Sequence, residues 1–150
     1  MEDIGQLARE SFESGYFCAE SVLLALARHF GIDNELVPKL ATGFCAGVSR
    51  TSNMCGALTG GIMAIGLQLG RTSPNQSQLP CYEATQRLIE LFEEKFGSYN
   101  CQTITGCDFR TDEGRAEFQK RELSENLCIP LTGDTPELVL RALEETSAER

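Results

Sequence analysis

Asn53-Met54-Cys55-Gly56-Ala57-Leu58-Thr59-Gly60-Gly61 begins an apolar, glycine-dotted run that continues to Leu69. Thr51, Ser52 and Asn53 are all good N-caps, so the segment predicts a helix with Cys55 in its first turn. First-turn amides are unpaired and partly positive, which favours a thiolate over a thiol there. Leu58, Ile62, Ile65 and Leu69 recur at helical spacing as a core stripe. Gly56 and Gly60 leave a strip without side chains along the same helix. Glycine is costly in a helix, by about 1 kcal/mol against alanine. Several in one helix imply that another backbone, or a cofactor, comes close beside the sulfur.

Working outward, the chain reads as one helical segment after another. Ile4, Leu7, Ala8 and Phe12 give an amphipathic helix broken at Ser14-Gly15. A second helix carries Val22, Leu23, Leu24, Leu26 and Ala27 to a stop at Gly31, with Cys18 in its first turn. A third is expected over Ile32 to Phe44, and Gly43 to Arg50 is a turn of small residues. After a polar loop over 71–79, Pro80 opens a fifth helix over 81–96, ended by Gly97. Asn100 caps a short turn at Cys101 to Thr105, closed by Gly106 and followed by Cys107. Thr111 to Leu123 is a charged helix or arm, and a last helix is expected from Thr135-Pro136. No strand, internal repeat or low-complexity tract interrupts this order. The expectation is an all-α, single-domain bundle over 1–150, with about six to eight helices, some of them short.

The chain has 150 residues, 41% of them hydrophobic, enough to bury a core without staples. With 22 acidic residues against 13 basic, its formal charge is -9, which argues against a nucleic-acid partner. The first residues lack an apolar signal core, and Met54 to Leu69 is too short and too interrupted to span a bilayer. We therefore expect a cytoplasmic protein without membrane insertion. In a reducing compartment its seven cysteines point to metal binding, catalysis or redox cycling more than to a static disulfide frame.

Cys18, Cys55 and Cys101 each stand at the start of a predicted helix, and Cys128 lies near the C-terminal one. Four converging thiolates suit an iron–sulfur cluster or another thiolate-bound metal, and two converging pairs suit dithiol–disulfide chemistry. The spacing leaves both open, since no C-x-x-C occurs. His29 is the only histidine, so a Ser–His–acid triad or a multi-histidine metal site is hard to build. Gly56 to Gly60 is not a phosphate loop, because no lysine follows and no strand precedes it.

Taken in order, several segments carry a resemblance: Cys18-Ala19-Glu20-Ser21-Val22, Gly43-Phe44, Cys55-Gly56-Ala57-Leu58-Thr59-Gly60 running into Ala64-Ile65-Gly66-Leu67, then Phe96 to Cys101 with Gly106, and Cys128. Over residues 12–145 the chain resembles the family of redox-active proteins named for its cysteine signature, C_GCAxxG_C_C. The resemblance implies that Cys18, Cys55, Cys101 and Cys128 are the defining cysteines. A similar domain occurs fused to a multihaem cytochrome, which implies electron transfer or cluster binding. The chain departs from the pattern after Phe44, where Cys45 and Ala46 occupy a turn that is usually richer in glycine. Cys45 and Cys107 are thus further candidate ligands or resolving thiols.

The expected function is redox: electron transfer or thiol/disulfide chemistry through a multi-cysteine centre. Cys55 would stand at its middle, Cys18, Cys101 and Cys128 around it, and Gly56 and Gly60 would give access. A redox partner protein and a homodimer packed through the glycine helix are compatible with this reading. Its rivals are a cysteine-thiolate enzyme acting on a small substrate, and a structural or partner-binding helical module with buried cysteines.

Overall fold

A computed structural model describes residues 3–148, and all of its regular structure is helical. The eight right-handed α-helices are α1 (Ile4–Glu13), α2 (Cys18–His29), α3 (Leu36–Ala41), α4 (Gly56–Leu69), α5 (Leu79–Phe96), α6 (Cys101–Thr105), α7 (Asp112–Lys120) and α8 (Ile129–Ala148). No described helix is long and apolar enough to cross a membrane.

The apolar positions read from the sequence form the core. Leu58 and Ile65 of α4, Val22 and Leu26 of α2, Leu88 and Phe92 of α5 and Val139 of α8 are all fully buried together. Burying one such side chain is worth about 1.5–3 kcal/mol, so this centre supplies most of the driving force. The glycines of α4 let α2 lie against it. A Cβ on Gly60 would stand 2.5 Å from the Ala19 carbonyl oxygen. At Gly56 and Gly60 the strip is filled by the Cys18 sulfur and the Ala19 backbone of α2.

A smaller cluster lies beside the main core. It is made of Cys101, Cys107, Phe109 and Leu123, with Ala46, Phe118 and Leu127 packed on it. Phe109 and Phe118 meet edge to face at 4.9 Å. The charged stretch after Thr111 is therefore an ordered helix, with Thr111 accepting from the Gly114 amide as its cap.

Three boundaries differ from expectation. The third helix covers only Leu36–Ala41 and tightens into a 3₁₀ turn at Thr42–Phe44. The last helix begins at Ile129, six residues earlier than expected, and follows directly on a π-helical turn at Ser124–Cys128. Pro136 stays inside it and is fully buried, so packing outweighs its missing N–H. The largest difference is the turn at Cys45–Arg50, which is left-handed. Ala46, Gly47, Val48, Ser49 and Arg50 all have φ between 56° and 67°. For residues other than glycine this costs about 1–2 kcal/mol each, so the surroundings must hold it. Ser49 Oγ donates to the Gly43 carbonyl at 2.7 Å, and the Asn53 amide donates to the Gly47 carbonyl at 2.9 Å.

Candidate thiol site

The left-handed turn and the segment after it bring distant cysteines together. Met54 and Asn100 form an isolated antiparallel bridge. Around it the Cys55 amide donates to the Tyr99 carbonyl and the Cys101 amide to the Asn53 carbonyl, both at 2.8 Å. Asn100 locks the crossing from its side chain. Its Oδ1 accepts from the Thr103 amide at 3.0 Å as the cap of α6, and its Nδ2 donates to the Ser52 carbonyl at 3.0 Å. Ser52 Oγ reaches on to Asp108 Oδ1 at 2.9 Å, which ties the loop after Cys107 to the same knot. Arg110 beside Asp108 holds that carboxyl well below the usual carboxylate range. Gly47 makes the approach possible, since a Cβ there would stand 2.7 Å from Cys101 Cβ and 3.2 Å from its sulfur.

The result is a thiol group linked through its neighbours: Cys101 feels both Cys55 and Cys107, and Cys128 feels all three. Cys55, Cys101 and Cys107 are buried and Cys128 is half-buried. Burial pushes the Cys55 thiol up from 9.0 to about 12, and the nearby Cys101 adds to the rise. The amides of Ala57 and Leu58 act in the opposite direction, as expected at a helix start, but burial outweighs them. Cys101 rises to about 11 through burial and the nearness of Cys107. Cys128 rises to about 12 through burial first, then through Cys55, Cys101, Cys107 and Glu125. The lowered thiol pKa expected at helix starts is therefore not what the fold produces at Cys55 or Cys101. Cys55 is itself the N-cap of α4, one residue before the helix and deeper in the core than a solvated cap would be.

Cys18 stands at the first position of α2. Its sulfur occupies the space beside Gly56, 2.2 Å from where a Cβ would be, and it pairs with Cys45. The hydrogen bond to Cys18 and burial together push the Cys45 thiol far up. Cys45 Sγ also lies 3.6 Å from Glu20 Oε1 and 3.7 Å from the Ala41 carbonyl. Of the four family cysteines, the structure thus gathers Cys55, Cys101 and Cys128, and adds Cys107. Cys18 lies against Gly56, the residue after Cys55, and pairs with Cys45. Cys81 sits on α5 against the main core.

Glu20 is the residue that motif reading missed. It is buried, and its position three residues after the cap Phe17 was the available signal. Its Oε1 accepts from the Phe17 amide at 3.0 Å and its Oε2 from Thr42 Oγ1 at 2.8 Å.

Cys18, Cys55, Cys101 and Cys128 were expected to suit a thiolate-bound metal or an iron–sulfur cluster. Among the described residues, no three His, Cys, Asp or Glu side chains are arranged to hold a metal ion.

Residues 16–142 match the profile of a family described as "Putative redox-active protein (C_GCAxxG_C_C)". A protein of Archaeoglobus fulgidus described as "Uncharacterized protein" is 32% identical over 158 aligned positions, which cover 97% of this chain and 98% of that one. No solved structure matches the chain.

Proposed function

Because the chain belongs to the C_GCAxxG_C_C family, we propose that its redox activity is thiol–disulfide chemistry centred on Cys55, Cys101, Cys107 and Cys128. One observation carries this reading: the Met54–Asn100 bridge sets Cys55 and Cys101 side by side, Cys107 is buried in the same cluster as Cys101, and the Cys128 thiol is raised by the nearness of all three. Disulfide formation relieves that crowding, because two protons leave with two electrons and a neutral bond remains. A disulfide on a redox partner protein is the co-reactant. Cys128, the least buried of the four, attacks one of its sulfurs and displaces the other as a thiol. A neighbouring cluster thiol then attacks Cys128 and releases the second partner thiol. The cluster is oxidised by two electrons and the partner disulfide is reduced to two thiols.

The test is anaerobic purification, metal analysis and redox titration with thiol counting. A two-electron step that consumes two cluster thiols, in protein without stoichiometric iron or zinc, supports the proposal. Stoichiometric iron with charge-transfer absorption would overturn it in favour of a cluster.

A further inference from the structure

We propose that Cys18 and Cys45 form a second dithiol–disulfide couple, separate from the four-thiol group and served by the buried carboxylate of Glu20. Three placements meet here. Cys18 opens α2, with its sulfur pressed into the notch that Gly56 leaves, next to the Phe44 carbonyl. Cys45 follows Phe44 and enters the left-handed turn, which directs its sulfur back to Cys18 and to within 3.6 Å of Glu20 Oε1. Glu20 is fixed from both sides by the Phe17 amide and the Thr42 hydroxyl, so the carboxylate cannot swing away from Cys45. Glu20 is 9% exposed and accepts from three neutral donors: an amide, a hydroxyl and the Cys45 thiol.

Exposure divides the roles. Cys18 is half-buried and Cys45 is buried. Phe17 and Phe44, the residues just before the two cysteines, are exposed at 57% and 42%, an apolar setting for an incoming disulfide. The Cys18 sulfur attacks one sulfur of a substrate disulfide, forms a mixed disulfide and releases the first substrate thiol, which carries the Cys18 proton. Glu20 accepts the Cys45 proton, and the Cys45 sulfur attacks Cys18. The bond between Cys18 and the substrate breaks, and the second substrate thiol leaves with the proton from Glu20. The pair loses two electrons and two protons, and the substrate disulfide becomes two thiols. Cys45 acts as a resolving thiol that keeps its proton until the mixed disulfide forms.

This couple does not depend on the four-thiol group, and peptide mapping separates the two. Tryptic cleavage leaves Cys18 on residues 10–28, Cys45 on 40–50, Cys55 on 51–71, Cys101 with Cys107 on 96–110 and Cys128 on 122–141. The reduced full-length chain is treated with oxidised glutathione, alkylated and digested. The expected product joins peptide 10–28 to peptide 40–50, both in the native chain and in Cys128→Ser. Glu20→Gln keeps the shape and the acceptor oxygen, so it should reach the same product at least about tenfold more slowly. In Cys45→Ala, which needs no partner for a hydroxyl, Cys18 should stop at the mixed disulfide with glutathione. Cys45 fully alkylated in the native chain, or Cys18 joined instead to 51–71, would overturn the couple. An unchanged rate in Glu20→Gln would overturn the role of the carboxylate.

Discussion

At Cys55 the amides of a helix start and the apolar core compete for the same proton, and the core wins; at Cys101 and Cys128 burial raises the thiol unopposed. An unfolded thiol ionises near pH 9, whereas these three hold their protons to about 12, 11 and 12. Between those limits the folded chain binds more protons than the unfolded one. Stability that is fully present below about pH 9 is then lost as pH rises, by up to about 1.4 kcal/mol per pH unit for each thiol. Urea midpoints should fall from about pH 8 to about pH 10.5, and a flat profile would mean that these sulfurs are solvated. The same displacement slows the chemistry at neutral pH, because the thiolate is the attacking species. Oxidation of the four-thiol group by a small disulfide should accelerate about tenfold per pH unit across the neutral and mildly alkaline range. Stopped-flow thiol counting reads this directly. A rate already at its plateau near neutrality would place the reactive sulfur outside the group.

Among the helices, α4 has two kinds of glycine that the sequence presents alike. A Cβ on Gly60 meets the Ala19 carbonyl oxygen at 2.5 Å, while one on Gly66 meets nothing within 4 Å. Gly66→Ala should therefore stabilise the chain by up to about 1 kcal/mol through helix propensity. Gly60→Ala should destabilise it by about 1–3 kcal/mol, because backbone of α2 would have to move. Chemical denaturation of the two variants checks the contrast, and equal effects would mean that α2 does not lie on this strip. Gly47→Ala combines a left-handed φ of 66° with a Cβ 2.7 Å from Cys101 Cβ, and a loss of about 3 kcal/mol is expected, with Cys101 becoming open to alkylation. The core face of α4 and the cysteines at helix starts were legible because caps and apolar spacing are local signals. Cys55 with Cys101 was legible only as a hope, since the bridge of Met54 to Asn100 joins residues far apart in sequence. The left-handed turn was not legible at all. Ala46, Val48, Ser49 and Arg50 disfavour that conformation one by one, and it is held by hydrogen bonds to Gly43 and from Asn53 and by the packing of Gly47 on Cys101. That turn is also what sends Cys45 to Cys18, so the separation into a four-thiol group and a pair could not be read from spacing.

Across the whole molecule, the two thiol sets lie where separate parts of the chain are tied together, so their redox state bears on stability. A Cys18–Cys45 disulfide would span α2, α3 and the 3₁₀ turn and close a loop of 28 residues. Restricting an unfolded loop of that size stabilises a fold by about 3.5 kcal/mol when the native geometry accommodates the bond. The two sulfurs already interact in the reduced chain. The glutathione-oxidised chain should unfold at a higher urea concentration than the reduced chain, with a similar dependence on denaturant in its folded baseline. In Cys45→Ala the same oxidation should leave the midpoint nearly unchanged, because a mixed disulfide at Cys18 closes no loop. Should oxidation lower the midpoint of the native chain, the bond would be strained, and the pair would be a poor electron donor but a strong oxidant. The sign of that shift therefore fixes the direction in which the couple runs against a partner. A stabilising bond draws electrons out of the chain into a substrate disulfide, and a strained one takes electrons from a substrate dithiol.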